Sequence, residues 1–306
     1  MSSQHLALGA IHVPGTEESA PSPWKISRLL ISCADRPGIV AAVSRFLHEV
    51  GANIVSSDQH STDPEGGTFF MRLEFSLPRD SDQHETLDEH FATSVAMPFE
   101  MTWSIWDSSI PKRIAVLVSR LDHCLLDILW RHRRRELGAA VGLVVSNHPD
   151  LRADVEAFGI PYEHVPVPKD EKPQAEKRLL ELLKDRFDLV ILARYMQILS
   201  GNFLDELGIP VINIHHSFLP AFVGAGPYRQ AKQRGVKLIG ATAHYVTAEL
   251  DAGPIIEQDV IRVSHRIDAE TLERQGADIE RTVFSRAVQW HCEDRVIVHE
   301  NSTVVF

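Results

Sequence analysis

From residue 113 onward, short apolar runs alternate with stretches whose apolar residues recur at helical spacing. This alternation restricts the fold more than any other feature of the chain. The runs at 113–118, 140–146, 188–193 and 210–215 are too uniformly apolar for strands with one face in water. Strands of that kind belong to parallel sheets that helices cover on both faces. We therefore predict a doubly wound, mostly parallel α/β sheet in this part of the chain.

The segments between and after these strands complete the prediction. Helices are expected at 122–137, 151–158, 171–185 and 268–292, with a short extended piece at 161–165. Two further extended segments at 239–246 and 255–263 precede the last helix, and a hairpin-like end follows it at 295–306.

A separate unit with a β-α-β-β-α-β pattern precedes this sheet. Its strands are predicted at 25–33, 53–60, 68–77 and 99–106, and its helices at 39–50 and 82–96. The run Asp-Pro-Glu-Gly-Gly at 63–67 has the composition of a hairpin turn between the second and third strands. This order of elements is that of a ferredoxin-like α+β domain.

The chain is thus expected to have two domains. Residues 1–23 are rich in Ser, Pro, Gly and Glu, and we predict a disordered tail there. The ferredoxin-like domain covers 24–106, a linker covers 107–112, and the α/β domain covers 113–306.

Composition restricts the function classes. The formal net charge of −11 argues against general nucleic-acid binding, which needs a basic face. The three cysteines are few, odd in number and far apart, as expected in a reducing compartment. The first 23 residues lack the pattern of a secretory signal, and no apolar run approaches the ~20 residues of a membrane span. We expect a cytoplasmic protein with neither a nucleic-acid nor a membrane partner.

The most informative stretch is VINIHHSFLP at 211–220, where an apolar strand runs into polar residues and a loop. Ligands of open parallel sheets bind at the carboxyl ends of strands. Side chains two residues apart share one face of a strand, so Asn213 and His215 are expected to be neighbours. An amide beside an imidazole is suited to stabilising an oxyanion and transferring a proton.

Other readings of these residues remain open at this point. Asn213 could cap a turn, and His215 could be an ordinary buried histidine. A metal site is disfavoured because His215 and His216 face opposite sides of a strand. The chain also lacks an HExxH motif and a cysteine cluster.

Three motifs resemble the folate-dependent formyltransferase family: LARYMQILS at 192–200, NIHHSFLPAF at 213–222 and GATAHYVTAELDAGPIIEQ at 240–258. The resemblance covers nearly all of 112–306 and implies a catalytic triad of Asn213, His215 and Asp251. It also implies a folate substrate and no metal. The substrate-binding residues that it implies are Met196, Gln197, Ile198, Leu199 and Val246.

The first unit carries a second resemblance. LLISCADRPGIVAAVSRFLHEVGANI at 29–54 is similar to an ACT domain, a small amino-acid-sensing module. The resemblance implies an effector site at Asp35, Gly38 and Asn53, with methionine and glycine as opposing effectors. ACT domains commonly pair through their sheets, so it also implies a homo-oligomer, a tetramer or hexamer.

An ACT domain joined to a formyl-folate domain resembles the formyltetrahydrofolate deformylase family. This implies hydrolysis of 10-formyltetrahydrofolate to formate and tetrahydrofolate, with no permanently bound cofactor. Such an enzyme supplies formate for purine synthesis and balances the one-carbon folate pool. One departure is Gly226, where the family commonly has lysine.

Two alternatives stay in view. A formyltransferase would pass the formyl group to an amine. The segment 118–124 argues against a phosphorylated acceptor. It follows the first strand of the α/β domain and has no glycine, so it lacks a loop that presents backbone N–H groups to a phosphate. The other alternative is an amino-acid-binding regulator in which the catalytic half is inactive.

Overall fold

The computed structural model describes residues 22–63, 65–168, 170–220 and 227–306. The predicted disordered tail lies outside this range except at residues 22 and 23, and Gly226 lies outside it too. The described chain divides into two compact units. One contains residues 22–111 with Glu293–His299 and Thr303–Phe306, and the other contains Lys112–Cys292 with Glu300–Ser302.

The first unit contains a four-stranded antiparallel sheet with the order β2-β3-β1-β4. Its strands are β1 (Trp24–Ala34), β2 (Asn53–Ser61), β3 (Thr68–Pro78) and β4 (Thr102–Asp107). Helix α1 (Ile39–Glu49) begins after Gly38, which has a φ of 99° that glycine adopts without strain. The apolar positions Ile39, Val43, Phe46 and Leu47 of α1 are buried in the core of this unit. The predicted ferredoxin-like fold is confirmed.

The second helical region of this unit is less regular than predicted. It contains a 3₁₀ turn (Asp82–Glu85), α2 (Leu87–Phe91), a π-helical turn (Ala92–Ala96) and α3 (Met97–Phe99). Glu100 then takes a left-handed φ of 53°, and Met101 N–H bonds to the Ala96 carbonyl at 2.9 Å. The helical region therefore extends to residue 99, where the strand was predicted to begin.

The second unit contains a seven-stranded sheet with the order β11-β10-β9-β8-β5-β6-β7. The five strands from β9 to β7 run parallel, and β10 and β11 are antiparallel at one edge. Its strands are β5 (Lys112–Val118), β6 (Ala139–Ser146), β7 (Tyr162–His164), β8 (Leu189–Ala193), β9 (Val211–His215), β10 (Leu238–Tyr245) and β11 (Ile255–Arg262). The doubly wound, mostly parallel sheet is confirmed.

The helices of this unit include two that the sequence pattern did not predict. They are α4 (His123–Arg133), α5 (Arg152–Glu156), α6 (Lys172–Leu183), α7 (Gly201–Leu207), α8 (Pro227–Arg234) and α9 (Ala269–Cys292). The unpredicted α7 is only seven residues long, and its start depends on Ser200, whose side chain accepts a hydrogen bond from Phe203 N–H. The unpredicted α8 is almost wholly polar, so it lacks the apolar periodicity of a buried helix.

The C-terminal segment differs from the predicted domain assignment. Among the described strands, β12 (Val296–His299) and β13 (Ser302–Val305) pair with each other, and most of this segment groups with the first unit. Arg72 on β3 explains the grouping, because it donates hydrogen bonds to the carbonyls of Asp294 at 2.8 Å and Glu293 at 3.0 Å. Arg72 is more than 200 residues from these carbonyls in the sequence, so local sequence pattern cannot predict the contact.

The described helices range from the three residues of α3 to the 24 residues of α9. None of them is both long enough and apolar enough to cross a bilayer.

Candidate active site

Strand β9 places Asn213 and His215 on one edge of the candidate site. The strand lies between β8, which is parallel to it, and β10, which is antiparallel. In this register Asn213 is opposite His244 and His215 is opposite Thr242. His215 is 6 % exposed, and Asn213 is partly buried. The predicted pairing of an amide and an imidazole at a strand end is present in the structure.

Asp251 reaches the same place from the loop between β10 and β11. The loop returns tightly, because Tyr245 N–H bonds to the Pro254 carbonyl at 2.9 Å. A Cβ at Gly253 would collide with the Tyr245 carbonyl, so only glycine fits there. Asp251 itself has a φ of 54°, in the left-handed region that aspartate tolerates better than most residues.

The Asp251 carboxylate and the His215 ring form an ion-pair contact. Oδ2 of Asp251 lies 3.3 Å from Nδ1 of His215. The hydrogen bond from His215, followed by one from His244, lowers the pKa of Asp251 far below its usual value and outweighs burial. Asp251 is therefore ionised at neutral pH. Nε2 of His215 is buried without a hydrogen-bond partner among the described residues, so it is the ring nitrogen left for a substrate.

His244, which the sequence analysis did not single out, holds Asn213. Its Nδ1 lies 2.9 Å from the Tyr245 carbonyl, and its Nε2 lies 3.2 Å from Nδ2 of Asn213. A carbonyl only accepts, so Nδ1 carries the proton and a neutral ring offers Nε2 as an acceptor to the Asn213 amide. The same Nε2 lies 3.7 Å from Oδ1 of Asp251. When Nε2 also carries a proton, the charged ring attracts this carboxylate.

These side chains line a cavity of about 330 Å³ in the second unit. Such a volume lies within the range of small-molecule sites. All five predicted substrate-binding residues line it, together with the triad. They are Met196, Gln197, Ile198, Leu199 and Val246.

The loop that carries four of these residues is anchored at both ends. Met196 N–H bonds to Oγ of Ser119 at 2.9 Å, at the carboxyl end of β5. Ser200 donates to Glu176 of α6 through its backbone N–H at 2.8 Å and its hydroxyl at 2.7 Å. Met196 and Ile198 nevertheless remain 58 % and 59 % exposed, so they offer apolar surface to a ligand.

The three predicted effector residues do not lie together within one chain. Asp35 accepts a hydrogen bond from the Ser61 hydroxyl at 2.5 Å, and Gly38 is close to it at the start of α1. Asn53 is opposite Ser76 at one end of β3, whereas the residue before Asp35, Ala34, is opposite Thr68 at the other end. The length of the sheet separates Asn53 from the other two.

One group of described residues has the composition of a metal site. His123, Cys124 and Glu280 each offer a ligand atom, and these atoms lie within 4.8 Å of one another. Burial, followed by the Glu280 charge, raises the pKa of Cys124 well above its usual value, so the residue is a thiol in this structure. Glu280 is already bonded to Tyr228 at 2.6 Å. The same carboxylate also lies 2.8 Å from Nε2 of His123, so Glu280 contacts both residues.

Family models match both units. A formyl transferase model matches residues 112–288, and an ACT domain model matches residues 27–82. The chain is 58 % identical over 281 residues to a formyltetrahydrofolate deformylase of Mycobacterium tuberculosis, which covers 92 % of this chain and 91 % of that protein.

Solved structures agree with these matches. A crystal structure of a formyltetrahydrofolate deformylase from Pseudomonas syringae superimposes with a TM-score of 0.88 and 49 % identity, covering 94 % of this chain and 96 % of that one. A glycinamide ribonucleotide transformylase from Symbiobacterium toebii has a TM-score of 0.60 and 31 % identity, covering 64 % and 94 %. The latter covers about the length of the second unit alone. The chain therefore belongs to the formyltetrahydrofolate deformylase family, in which an ACT domain precedes a formyl transferase domain.

Proposed function

We propose that this chain hydrolyses 10-formyltetrahydrofolate to formate and tetrahydrofolate in the cavity beside β9. The main support for the proposal is that Asn213, His215 and Asp251 line the same cavity of the formyl transferase domain. Relatives bearing the deformylase name at up to 58 % identity over most of the chain support this activity. The formate that it releases would serve purine synthesis, and the reaction would balance the one-carbon folate pool.

The chemistry begins with attack of water on the formyl carbon. The carbonyl oxygen gains negative charge in the transition state, and the Asn213 amide and the His215 ring are the donors available to it. Such donors are worth far more to the transition state than to the ground state, and losing one typically costs ~10²–10³ in rate. His244 holds the Asn213 amide in a fixed orientation by accepting from Nδ2 at 3.2 Å.

Proton transfer is assigned to His215. Its Nδ1 is engaged by the ionised Asp251, which fixes the ring and attracts the charge that the ring carries when protonated. Nε2 then faces the reacting atoms and delivers a proton to the folate nitrogen as the carbon–nitrogen bond breaks. Asp251 also orients the attacking water through its second oxygen. The folate ring is proposed to lie against the loop at 196–199 and Val246.

The first unit is proposed to bind an amino acid, with methionine and glycine as the candidate effectors. The turn that carries Asp35 and Gly38 is the described part of that site, and a site that also uses Asn53 would take it from another copy of the chain. A homo-oligomer, a tetramer or hexamer, is proposed on this basis. Calorimetric titration of methionine and glycine tests the effectors, and the absence of binding would leave assembly as the role of this unit.

A cytoplasmic location is proposed from the cysteines. All three are buried, and none forms a disulfide. This is the arrangement expected of a protein in a reducing compartment.

The decisive experiment supplies 10-formyltetrahydrofolate to the purified protein without any amine and measures formate. The proposed function predicts release at a rate that falls by at least ~10²-fold in His215→Ala, because a donor and the proton carrier are lost together. His164→Ala is the matched control, since His164 is an exposed histidine that does not line the cavity. A fully active His215→Ala variant would refute the mechanism.

Two outcomes would favour the alternatives. Formate release that requires an added amine would identify a formyltransferase. Absence of any turnover in a folded wild-type protein that binds amino acids would identify a regulator with an inactive catalytic half.

A further inference from the structure

Arg194 occupies a backbone position that a residue other than glycine rarely takes. It directly follows β8, and its φ is 61°. Its N–H bonds to the Leu192 carbonyl at 3.1 Å, and its carbonyl accepts from Ser119 N–H at 3.3 Å. A side chain at such a position costs of order 1 kcal/mol relative to an unstrained one. These two hydrogen bonds hold Arg194 in this conformation at the end of β8.

That side chain is buried and ion-paired. It is 9 % exposed, and its Nε lies 3.4 Å from Oε2 of Glu280, which is itself 2 % exposed. Nε has no hydrogen-bond partner among the described residues, so its contact with Glu280 is electrostatic and not a hydrogen bond. A buried cation in this setting is fixed in place, because moving it would leave the carboxylate of Glu280 without its counter-charge.

Glu280 is held from other sides as well. Its Oε2 lies 2.8 Å from Nε2 of His123 on α4, and its Oε1 accepts from the Tyr228 hydroxyl at 2.6 Å. Burial acts to raise the pKa of Glu280, but His123, Arg194 and Tyr228 together outweigh burial and lower it. Glu280 is therefore ionised, and it positions the Arg194 guanidinium.

Arg194 lines the same cavity as the triad, at the carboxyl ends of β8 and β9. Its charge acts on neighbouring groups: burial, followed by Arg194, lowers the pKa of His216 to about 4. His216 is the residue after His215, and the two rings are 5.2 Å apart. The cavity wall thus contains the Arg194 guanidinium, which Glu280 fixes and partly neutralises.

We propose that Arg194, positioned by Glu280, excludes amine acceptors from the formyl carbon and so makes water the nucleophile. The proposal rests on the hydrolytic function proposed above. Most of an amine is cationic at neutral pH and is kept away by a buried cation before it can lose its proton and react, whereas water is neutral and small. The transformylase that shares this fold shows that the fold by itself does not select water. We assign that selection to Arg194 because it is a buried cation in the cavity wall.

The two reactions differ only in the nucleophile. In transfer, the lone pair of a neutral amine forms a new carbon–nitrogen bond, the bond from the formyl carbon to the folate nitrogen breaks, and the amine proton passes to that nitrogen. In hydrolysis, a water oxygen forms the new bond to the formyl carbon and the bond to the folate nitrogen breaks. One water proton passes to that nitrogen to give tetrahydrofolate, and the other is released as the formic acid product ionises to formate. Neither reaction needs an oxidant or a further reactant.

The test substitutes Arg194→Gly, which removes the side chain and relieves the strained φ. Glycinamide is added as the probe amine, and formate and N-formylglycinamide are measured together by mass spectrometry. The wild-type protein is expected to release formate with no detectable transfer. The variant is expected to raise the ratio of N-formylglycinamide to formate by at least ~10-fold, since more than 1.4 kcal/mol of discrimination is lost.

The control is Asp185→Gly, which makes the same backbone change at an exposed position with a φ of 59° outside the cavity. Its product ratio should equal that of the wild type. If Arg194→Gly does not fold because Glu280 is left as a lone buried charge, the double variant Arg194→Gly with Glu280→Gln removes that charge and is measured in its place.

The outcomes separate this proposal from the proposed function. Formate release by the wild type together with an unchanged product ratio in the folded variant would overturn the role of Arg194 and leave the hydrolase intact. A fall in formate release by the variant with no N-formylglycinamide formed would also overturn it, because a purely structural arginine predicts that result. No formate from the wild type would refute the proposed function instead.

Discussion

Replacing Asp251 by asparagine tests the ion pair on which the mechanism depends. The substitution keeps the size of the side chain and removes its charge. In the structure Oδ2 of Asp251 lies 3.3 Å from Nδ1 of His215, and the carboxylate side chain is only 13 % exposed. Solvent therefore screens this pair less than it screens a surface salt bridge.

The expected loss follows from Coulomb's law. Two unit charges at 3.3 Å interact by about 5 kcal/mol at an effective dielectric constant of ~20. Asparagine retains a hydrogen-bond acceptor, so about 3 kcal/mol of this is expected to be lost, which corresponds to ~10²-fold in rate. If the amide instead turns its NH₂ toward Nδ1, the wrong tautomer is favoured and the loss approaches ~10⁴.

The assay is single-turnover formate release from 10-formyltetrahydrofolate by wild type, Asp251→Asn, His215→Ala and the double variant. Because the two groups act as one unit, the double variant should be little slower than His215→Ala alone. Asp205→Asn is the matched control, since Asp205 is exposed on α7 and does not line the cavity. It should match the wild type.

Two results would refute the reasoning. A loss below tenfold in Asp251→Asn, with a large loss in His215→Ala, would show that the carboxylate does not support the ring. Fully additive effects in the double variant would show that the two side chains act independently.

Two other predictions follow from the same structure. His244→Ala should lower kcat by about tenfold with a smaller change in KM, because the Asn213 amide loses the acceptor 3.2 Å away that orients it; an unchanged kcat would exclude this positioning role. Burial, followed by Lys112, lowers the pKa of His291 to about 3. Between this pH and the ordinary pKa of 6.5, His291 is protonated in the unfolded chain but not in the folded chain. The free energy of unfolding should therefore fall as pH falls through this window, by up to about 1.4 kcal/mol per unit, and His291→Gln should reduce the slope in urea titrations; an unchanged slope would contradict this.

Local pattern was sufficient for most of the fold. Apolar runs such as 189–193 are uniformly buried, and the helical spacing of α1 and α9 matches their buried faces. Pattern was insufficient where an element depends on a single cap or on distant partners. Helix α7 starts at the Ser200 cap, and the C-terminal segment is held by hydrogen bonds from Arg72.

The candidate site divides in the same way. Asn213 and His215 could be paired from sequence, because side chains two apart on a strand share a face. The position of Asp251 came from the family motif, and its ion pair with His215 was found only in the structure. His244 was missed because its importance depends on being opposite Asn213 across two antiparallel strands, and strand register has no local signal.

The sequence by itself determined most of the strands and helices, the order of the two domains and the two neighbouring side chains of β9, since periodicity and strand geometry are local properties. Only the tertiary structure decided that Asp251, His244 and Arg194 face the same cavity and that Glu280 holds Arg194 there. These contacts join residues far apart in the chain, and they form because packing the sheet and α9 brings together charges that no spacing rule relates.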